Sequence, residues 1–342
     1  MTILVAPLNW GLGHASRCVP LVRKFLNEGH EVILGGDGES LTLLRRHFPK
    51  LRYVYLAPLN LHYSRGKSQV WAMLKALPQL IAWSIKDHAI LQSVLKEEPI
   101  DRVVSDNRFG LYVKPQTTSN NFKQPQTIYI THQLHIMLPK AWKWAEKIAE
   151  RLHARIYKRF DTVWVPDYED SQHCLGGELS HPIHLPLSHL TCTIEYIGSL
   201  SRFQNTQNTQ NIPNIQNTPI FDIVAVLSGL EPQRTILEQK IVHRYAGQAE
   251  KVLIVQGLMH RPNTRFKRGN ITIVPSMGDD ELAAALRNAK HIIVRSGYST
   301  IMDLEALGLL HSTIDNQDPK IELIPTPGQP EQEYLAVLHS KK

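Results

Sequence analysis

Cysteine is scarce in this 342-residue chain. Cys18, Cys174 and Cys192 stand far apart, are odd in number and form no CxxC pair. That leaves no disulfide framework and no cysteine-built zinc cluster, and a reducing, cytoplasmic setting is the expectation. Long apolar runs are missing as well. No stretch of about 20 apolar residues occurs, so no segment reads as membrane-spanning. The opening MTILVAPLNWG has neither the basic start nor the apolar length of a secretory leader. Acidic residues gather nowhere in metal-binding density: GDD at Gly278–Asp280 and DNQD at Asp315–Asp318 are isolated, and neither a metal nor a cofactor is expected. Negative charge is in short supply overall, 31 Asp+Glu against 38 Lys+Arg, for a net +7. The first 200 residues carry 23 basic and 17 acidic side chains, the rest 15 and 14. An excess confined to one half suits an anionic partner, although an ordinary basic protein would show it too.

What is present is a β/α rhythm. TILVAP reads as a buried strand, LNWGLGH as a loop, and Ala15–Asn27 as a helix closed by Gly29. HEVILGG follows as the next strand. Strand IDRVVSD, strand QTIYITH and strand TVWVPD continue the pattern, with helical stretches at Val70–Leu95 and Lys140–Arg159. Residues 201–219 are Asn/Gln/Thr-rich and nearly devoid of apolar side chains, and read as an exposed linker. The rhythm then restarts with FDIVAVLSG, KVLIVQG, ITIVPS and HIIV, and with helices near Arg234–Tyr245, Asp280–Ala289 and Ser299–Leu307. The expected fold class is α/β: a domain over 1–200 and a second over 220–342, each with a parallel sheet, facing across a cleft. Ligands of such sheets bind at the carboxyl ends of the strands.

Several strand ends carry polar groups suited to a ligand. After HIIV come Arg295, Ser296, Gly297, Ser299 and Thr300, where a helix begins and its free N–H groups form an anion seat. Asp303, one turn in, could accept from a ribose. The bland alternative is a capping box, Thr300-x-x-Asp303. In PTPGQPEQEYLA, Gln332 and Glu333 suit bidentate recognition of vicinal hydroxyls, or are only a polar first helical turn. VLSGLEPQRT offers Ser228, Gly229 and Glu231 at another strand-to-helix turn. In the first half, Gly11 and Gly13 let backbone approach a ligand. His14 would serve as a general base or as a buried polar residue, with Arg17 beside it. Asp106, just past another strand, is the kind of carboxylate that orients such a base, and His132 and Gln133 close a third strand.

The motifs GLGHASR, YIGSLSR (Tyr196–Arg202), RSGYSTIMDLEALG and PTPGQPEQEYLA together resemble a glycosyltransferase of the GT-B fold, family 28-like, the group containing the N-acetylglucosaminyl transferase of peptidoglycan synthesis. The resemblance spans most of the chain and is nearest to uncharacterised bacterial members. It implies two Rossmann-like domains and inverting, metal-independent transfer of a hexosyl group from a nucleoside-diphosphate sugar. It implies diphosphate held at Arg295–Thr300, ribose on Asp303, and donor sugar on Gln332 and Glu333. Further phosphate contact falls on Ser228–Glu231, and the base packs near the loop Ser276–Gly278, which holds Met277, chiefly through backbone. His14 falls on the acceptor side, as catalytic base, and Asp106 backs it. Gly11, Gly13, Arg17, His132 and Gln133 are assigned to the acceptor side as well. Against that pattern, 309–324 reads as an insert, and the family pattern would run on past Tyr334 into a further helix. A non-catalytic nucleotide-sugar-binding protein, and a sugar-nucleotide epimerase or hydrolase of the same fold, remain rival readings.

The acceptor itself is left open, a lipid-linked hydroxyl or a polysaccharide being the candidates. Residues 139–159 hold seven Lys/Arg against two Glu, with Trp142 and Trp144. Such a segment can lie on anionic lipid at the inner face of the cell membrane, with Trp71 and Trp83 of the preceding helical stretch flanking it, or it can be a core helix with a solvated basic face. It lacks the interleaved aromatic and glycine pattern of a nucleic-acid surface, and no nucleic-acid partner is expected.

Overall fold

The computed structural model describes residues 1–59, 69–113, 124–182, 192–204, 221–229, 231–262, 264–310 and 319–340, the side chains of 69–74 excepted. The chain divides into two compact units, with the main boundary between Leu200 and Ser201.

The first unit is built on β1 (Thr2–Pro7), β2 (Glu31–Gly36), β3 (Tyr53–Tyr55), β4 (Arg102–Asp106), β5 (Gln126–Ile130), β6 (Thr162–Val165) and β7 (Thr193–Tyr196). They lie in the order β3-β2-β1-β4-β5-β6-β7 and every pairing is parallel. Strands covered on both faces need continuous apolar runs, and β1 (TILVAP) and β2 (EVILGG) supply them. Helices α1 (Gly13–Asn27), α2 (Gly38–His47), α3 (Gln69–Glu97) and α4 (Glu146–Tyr157) make the crossovers. Leu91 of α3 packs with Leu4 and Val103, while Tyr157 of α4 packs with Tyr129 and Val163. Register places Leu4 beside Val103, Ser105 beside Tyr129 and Tyr129 beside Val163. Residues two apart share a face, so α3 and α4 cover the same face of this sheet.

The second unit repeats the plan. Its strands are β8 (Ile223–Val226), β9 (Val252–Val255), β10 (Phe266–Arg268), β11 (Ile271–Val274), β12 (His291–Val294) and β13 (Lys320–Leu323), ordered β10-β11-β9-β8-β12-β13. Only the β10–β11 pairing is antiparallel. Helices α5 (Gln233–Tyr245), α6 (Asp279–Arg287), α7 (Tyr298–Ala306) and α8 (Pro330–Ser340) complete it.

Three expectations change. The linker does not begin at 201: Ser201 and Phe203 are each 1% exposed, and Phe203 lies in the second unit's core. Residues 205–220 lie outside the described residues. The stretch read as an insert contains β13, paired in parallel with β12. Its KIEL sequence is half-buried, as suits a strand at the sheet edge, and residues 311–318 lie outside the described residues. The helix expected over Lys140–Arg159 is a 3-10 turn over Lys140–Ala145 followed by α4.

Candidate functional site

In each sheet the strand order reverses between two neighbours, and ligands of doubly wound folds sit just beyond that reversal. In the first unit it falls between β1 and β4. Asp106 is the last residue of β4 and fully buried, and His14 is in the first turn of α1, directly after the β1 loop. The His14 Nδ1 lies 2.8 Å from Asp106 Oδ1, with 16% of the His14 side chain exposed. With that nitrogen donating to the carboxylate, the lone pair sits on Nε2, as a general base requires. Arg17, one turn on, is 1% exposed and forks onto the same carboxylate, Nε to Oδ2 at 2.5 Å and Nη2 to Oδ1. Its Nη1 lies 3.1 Å from Nδ1 of His132. Burial lowers the His14 pKa below the ordinary histidine value. Asp106 raises it and Arg17 lowers it again, so the net is downward. Burial would raise Asp106, but Arg17 and His14 overcome this and hold it well below the usual carboxylate range.

His14, Asp106, Arg17 and His132 are thus brought together. Arg17, expected to face the acceptor, is turned inward instead, because a buried Asp106 needs a partner for its charge. Gln133 is half-buried, its N–H donating to Thr131 Oγ1 at 3.1 Å. Gly11 and Gly13 are half-buried. Gly11 has φ 78°, which favours glycine there, and Gly13 opens α1.

Sequence reasoning missed a second buried cluster on this edge. Arg108 is fully buried. It donates to Asp87 (2.8 and 3.0 Å), Asp37 (2.8 Å) and the carbonyl oxygens of Ala57 (2.7 Å) and Pro7 (3.4 Å). Those partners include the last residue of β1 and residues that follow β2 and β3, and Arg108 itself follows β4, so one guanidinium ties four strand ends together. The preceding Asn107 has φ 57°, an uncommon value for a non-glycine residue, and accepts from Tyr129 Oη at 2.6 Å. The only sequence signal was an arginine placed directly after a buried run.

In the second unit the reversal falls between β8 and β12. Ser228 and Gly229 leave β8, Ser228 half-buried and Gly229 exposed with φ 94°. Glu231 is committed to its own helix: it pairs with Arg234 and accepts from the Thr235 N–H at 3.2 Å. Burial would raise its pKa, but these partners bring it below the usual glutamate value. Beyond β12, Arg295 is 4% exposed and donates to main-chain oxygens of Pro325 (2.9 Å) and Gln233 (2.8 Å). Ser296 Oγ donates to the Gln332 carbonyl at 2.7 Å, and the Gln332 Oε1 accepts from the Thr326 N–H at 2.8 Å. Arg295 and Ser296 therefore hold the PTPGQ loop and α8 against the start of α7. Gln332 is half-buried there, and Glu333 is exposed.

Gly297 is the N-cap of α7 and has no side chain to cap the helix, and the first turn has no acidic residue. The capping box does not form: Gly297, not Thr300, is the N-cap, and Asp303 bonds elsewhere, with Ser201 Oγ donating to it at 2.6 Å and Arg202 3.9 Å away. Burial raises Asp303 to about 6, against the pull of Arg202 and Ser201. Ser299 and Thr300 are half-buried, and Met277 is a partly buried neighbour of the core. By contrast α6 has Asp279, Asp280 and Glu281 in its first turn and would repel an anion.

Among the described residues, Asp167, Cys174 and His181 bring three ligand atoms within 4.8 Å of one another. The Asp167 carboxylate already accepts from the N–H groups of Tyr168, Leu175 and Gly176 and from Ser180 Oγ. Its hydrogen bonds lock the loop, which accounts for its burial without an ion.

No family model matches the chain. A protein of Methanosarcina acetivorans, described only as an uncharacterized glycosyltransferase, is 27% identical over 182 residues, 49% of this chain and 42% of that relative. The match thus spans less than half of the relative's length. Among solved structures, spinosyn rhamnosyltransferase superposes with TM-score 0.54 at 13% identity, over 99% of this chain and 84% of that one. A Phytolacca americana enzyme, UGT2, solved with UDP-2-fluoro-glucose and pterostilbene, gives 0.53 at 14%, over 98% and 82%. A Listeria monocytogenes protein assigned as a UDP-N-acetylglucosamine 2-epimerase gives 0.52 at 13%, over 100% and 88%. These likenesses show the fold class, GT-B, with two Rossmann-like α/β domains.

Proposed function

We propose that the chain is a glycosyltransferase that moves a hexosyl group from a nucleoside-diphosphate sugar to an acceptor hydroxyl. The observation that carries this is the His14–Asp106 pair at the switch point of the first sheet, with its proton-accepting nitrogen left over. His14 takes the acceptor proton as the hydroxyl attacks the anomeric carbon. The bond to the nucleoside diphosphate breaks on the opposite side, which inverts the centre. The uncapped N-terminus of α7 stabilises the departing diphosphate. That positive helix end does the work asked of a metal elsewhere, and the reaction is read as metal-independent. Asp303 accepts from the ribose, and Gln332 and Glu333 hold the sugar. The family 28-like reading rests on the RSGYST turn and the PTPGQ loop, which the structure builds as neighbours through the Ser296–Gln332 bond.

The partner surface is read as an anionic bilayer. Trp144, Ile148 and Leu152 recur every four residues and are 71%, 50% and 50% exposed. On α3, Leu77, Ile81 and Ile85 do the same at 47%, 55% and 64%. α3 and α4 lie on one sheet face, and Trp144 sits in the 3-10 turn that leads into α4. Lys140, Lys143, Lys147, Arg151 and Arg155 are exposed around the first. Apolar stripes rimmed by cations match anionic lipid in charge, and they favour a lipid-linked acceptor over a polysaccharide. Trp83 takes no part: it is 3% exposed and donates to Ala57. The side chain of Trp71 lies outside the described residues. Among the described residues no helix is long and apolar enough to cross a membrane.

The test is a panel of nucleoside-diphosphate sugars with lipid-linked and soluble acceptors, scored by nucleoside diphosphate released and by product. Transfer lost in His14→Ala supports the reading. Conversion of the donor without acceptor would favour an epimerase or hydrolase, the alternative that the Listeria likeness keeps in view. Donor binding without turnover would make the chain a binding protein.

A further inference from the structure

A carboxylate paired with a histidine ordinarily raises the ring's proton affinity, because it stabilises the cation. Here the carboxylate is already spent. Asp106 accepts two hydrogen bonds from the Arg17 fork and a weaker one from Cys18 Sγ at 3.7 Å, all inside the first unit where none of the three is exposed. Arg17 Nη2 also lies 3.0 Å from His14 Nδ1. The charged and titratable groups acting on His14 are Asp106 from β4, Arg17 from its own helix and His132 just beyond β5, while Cys18 of the same helix and Tyr129 of β5 face Asp106 and Arg17. Of these, Asp106 raises the ring's proton affinity and Arg17 offsets part of that.

We propose that Arg17 is a positioning residue for His14: by forking onto Asp106 it offsets part of that charge while leaving the carboxylate oxygen in place, so Asp106 fixes the ring's tautomer while raising its proton affinity less than a bare carboxylate would. Burial is the first cause of the downward shift of His14, and Arg17 adds to it. The inference rests on His14 as the base. It adds that a residue that never meets the substrate helps burial hold the base's proton affinity down.

The test is an NMR titration of the His14 ring Cε1–H, assigned with His14→Gln, in the wild type, Arg17→Met and Arg17→Lys, beside kcat/KM against pH. Arg17→Met leaves the Asp106 charge uncompensated. The His14 midpoint should rise by about 1 unit or more, and the acid limb of kcat/KM should move up with it, since a ring protonated to higher pH is no base there. Arg17→Lys should return most of the shift. A folded Arg17→Met with an unmoved His14 midpoint overturns the proposal. Should Arg17→Met not fold, Arg17→Met/Asp106→Asn removes both charges together. Its midpoint should then lie at or below that of the wild type, and a rise of a full unit would overturn the proposal. If the midpoint moves but the rate limb does not follow, Arg17 keeps its role and His14 loses its place as the base.

Discussion

At the scale of single residues, the two candidate sites depend on charges held in opposite ways. Asp106 is kept ionised by its neighbours, whereas Asp303 is pushed toward its neutral form by burial. Replacing His14 by Ala should cost about 10²–10⁴ in kcat, with melts run beside the kinetics because the ring is only 16% exposed and bonds buried Asp106. Asp106→Asn should also slow transfer, but it strands Arg17 as a buried cation, at about 3–5 kcal/mol, so thermal melts must accompany its kinetics. Asp303 has the opposite sign. A carboxyl raised to about 6 when folded binds its proton more tightly than in the unfolded chain, so stability falls as pH rises from about 4 to 6. Asp303→Asn removes that loss. The expected gain is about 3 kcal/mol at pH 8, vanishing near pH 4, by thermal denaturation at the two pH values. An equal gain at both would contradict the burial argument.

At the scale of elements, α7 and α6 are a matched pair: both start at a glycine, but only α6 has carboxylates in its first turn. Thr300→Glu gives α7 what α6 has. The free protein should gain about 0.3–1 kcal/mol from the dipole, while affinity for a nucleoside diphosphate falls at least about tenfold, a penalty near 1.4 kcal/mol. Calorimetric titration reads the second effect, and unchanged binding would remove α7 from the donor site. The sequence made such elements legible where burial is two-sided. HIIV, VLIV and TILVAP are continuous apolar runs because helices cover both faces, and the turns after them were read correctly as strand ends. It concealed β3, β10 and β13, where YVY, FKR and KIEL sit at or near a sheet edge and lack such a run. At the site, His14 and Asp106 could be paired from their places at strand ends. The inward turn of Arg17 could not, because it depends on how deeply Asp106 is buried. Nor could the Arg108 cluster, whose partners come from separate connections far apart in the chain.

At the scale of the whole molecule, the exposed stripes on α3 and α4 predict partition onto anionic vesicles. Flotation with phosphatidylglycerol-rich vesicles should carry the protein, and neutral phosphatidylcholine vesicles should not. Trp144→Ser/Ile148→Ser should abolish flotation while sparing turnover of a soluble acceptor. Binding insensitive to both lipid charge and these substitutions would contradict the reading. Arg108 has a different kind of consequence, one of timing. Its partners Pro7, Asp37, Ala57 and Asp87 are 101, 71, 51 and 21 residues away along the chain, so its bonds close only after β1 to β4 have assembled. Interactions made after the folding barrier leave the folding rate alone and act on the unfolding rate. In a chevron analysis, Arg108→Met should steepen the loss of the native state with time and leave refolding nearly unchanged. The guanidinium is then less a builder of the sheet than the latch that sets how long it stays closed.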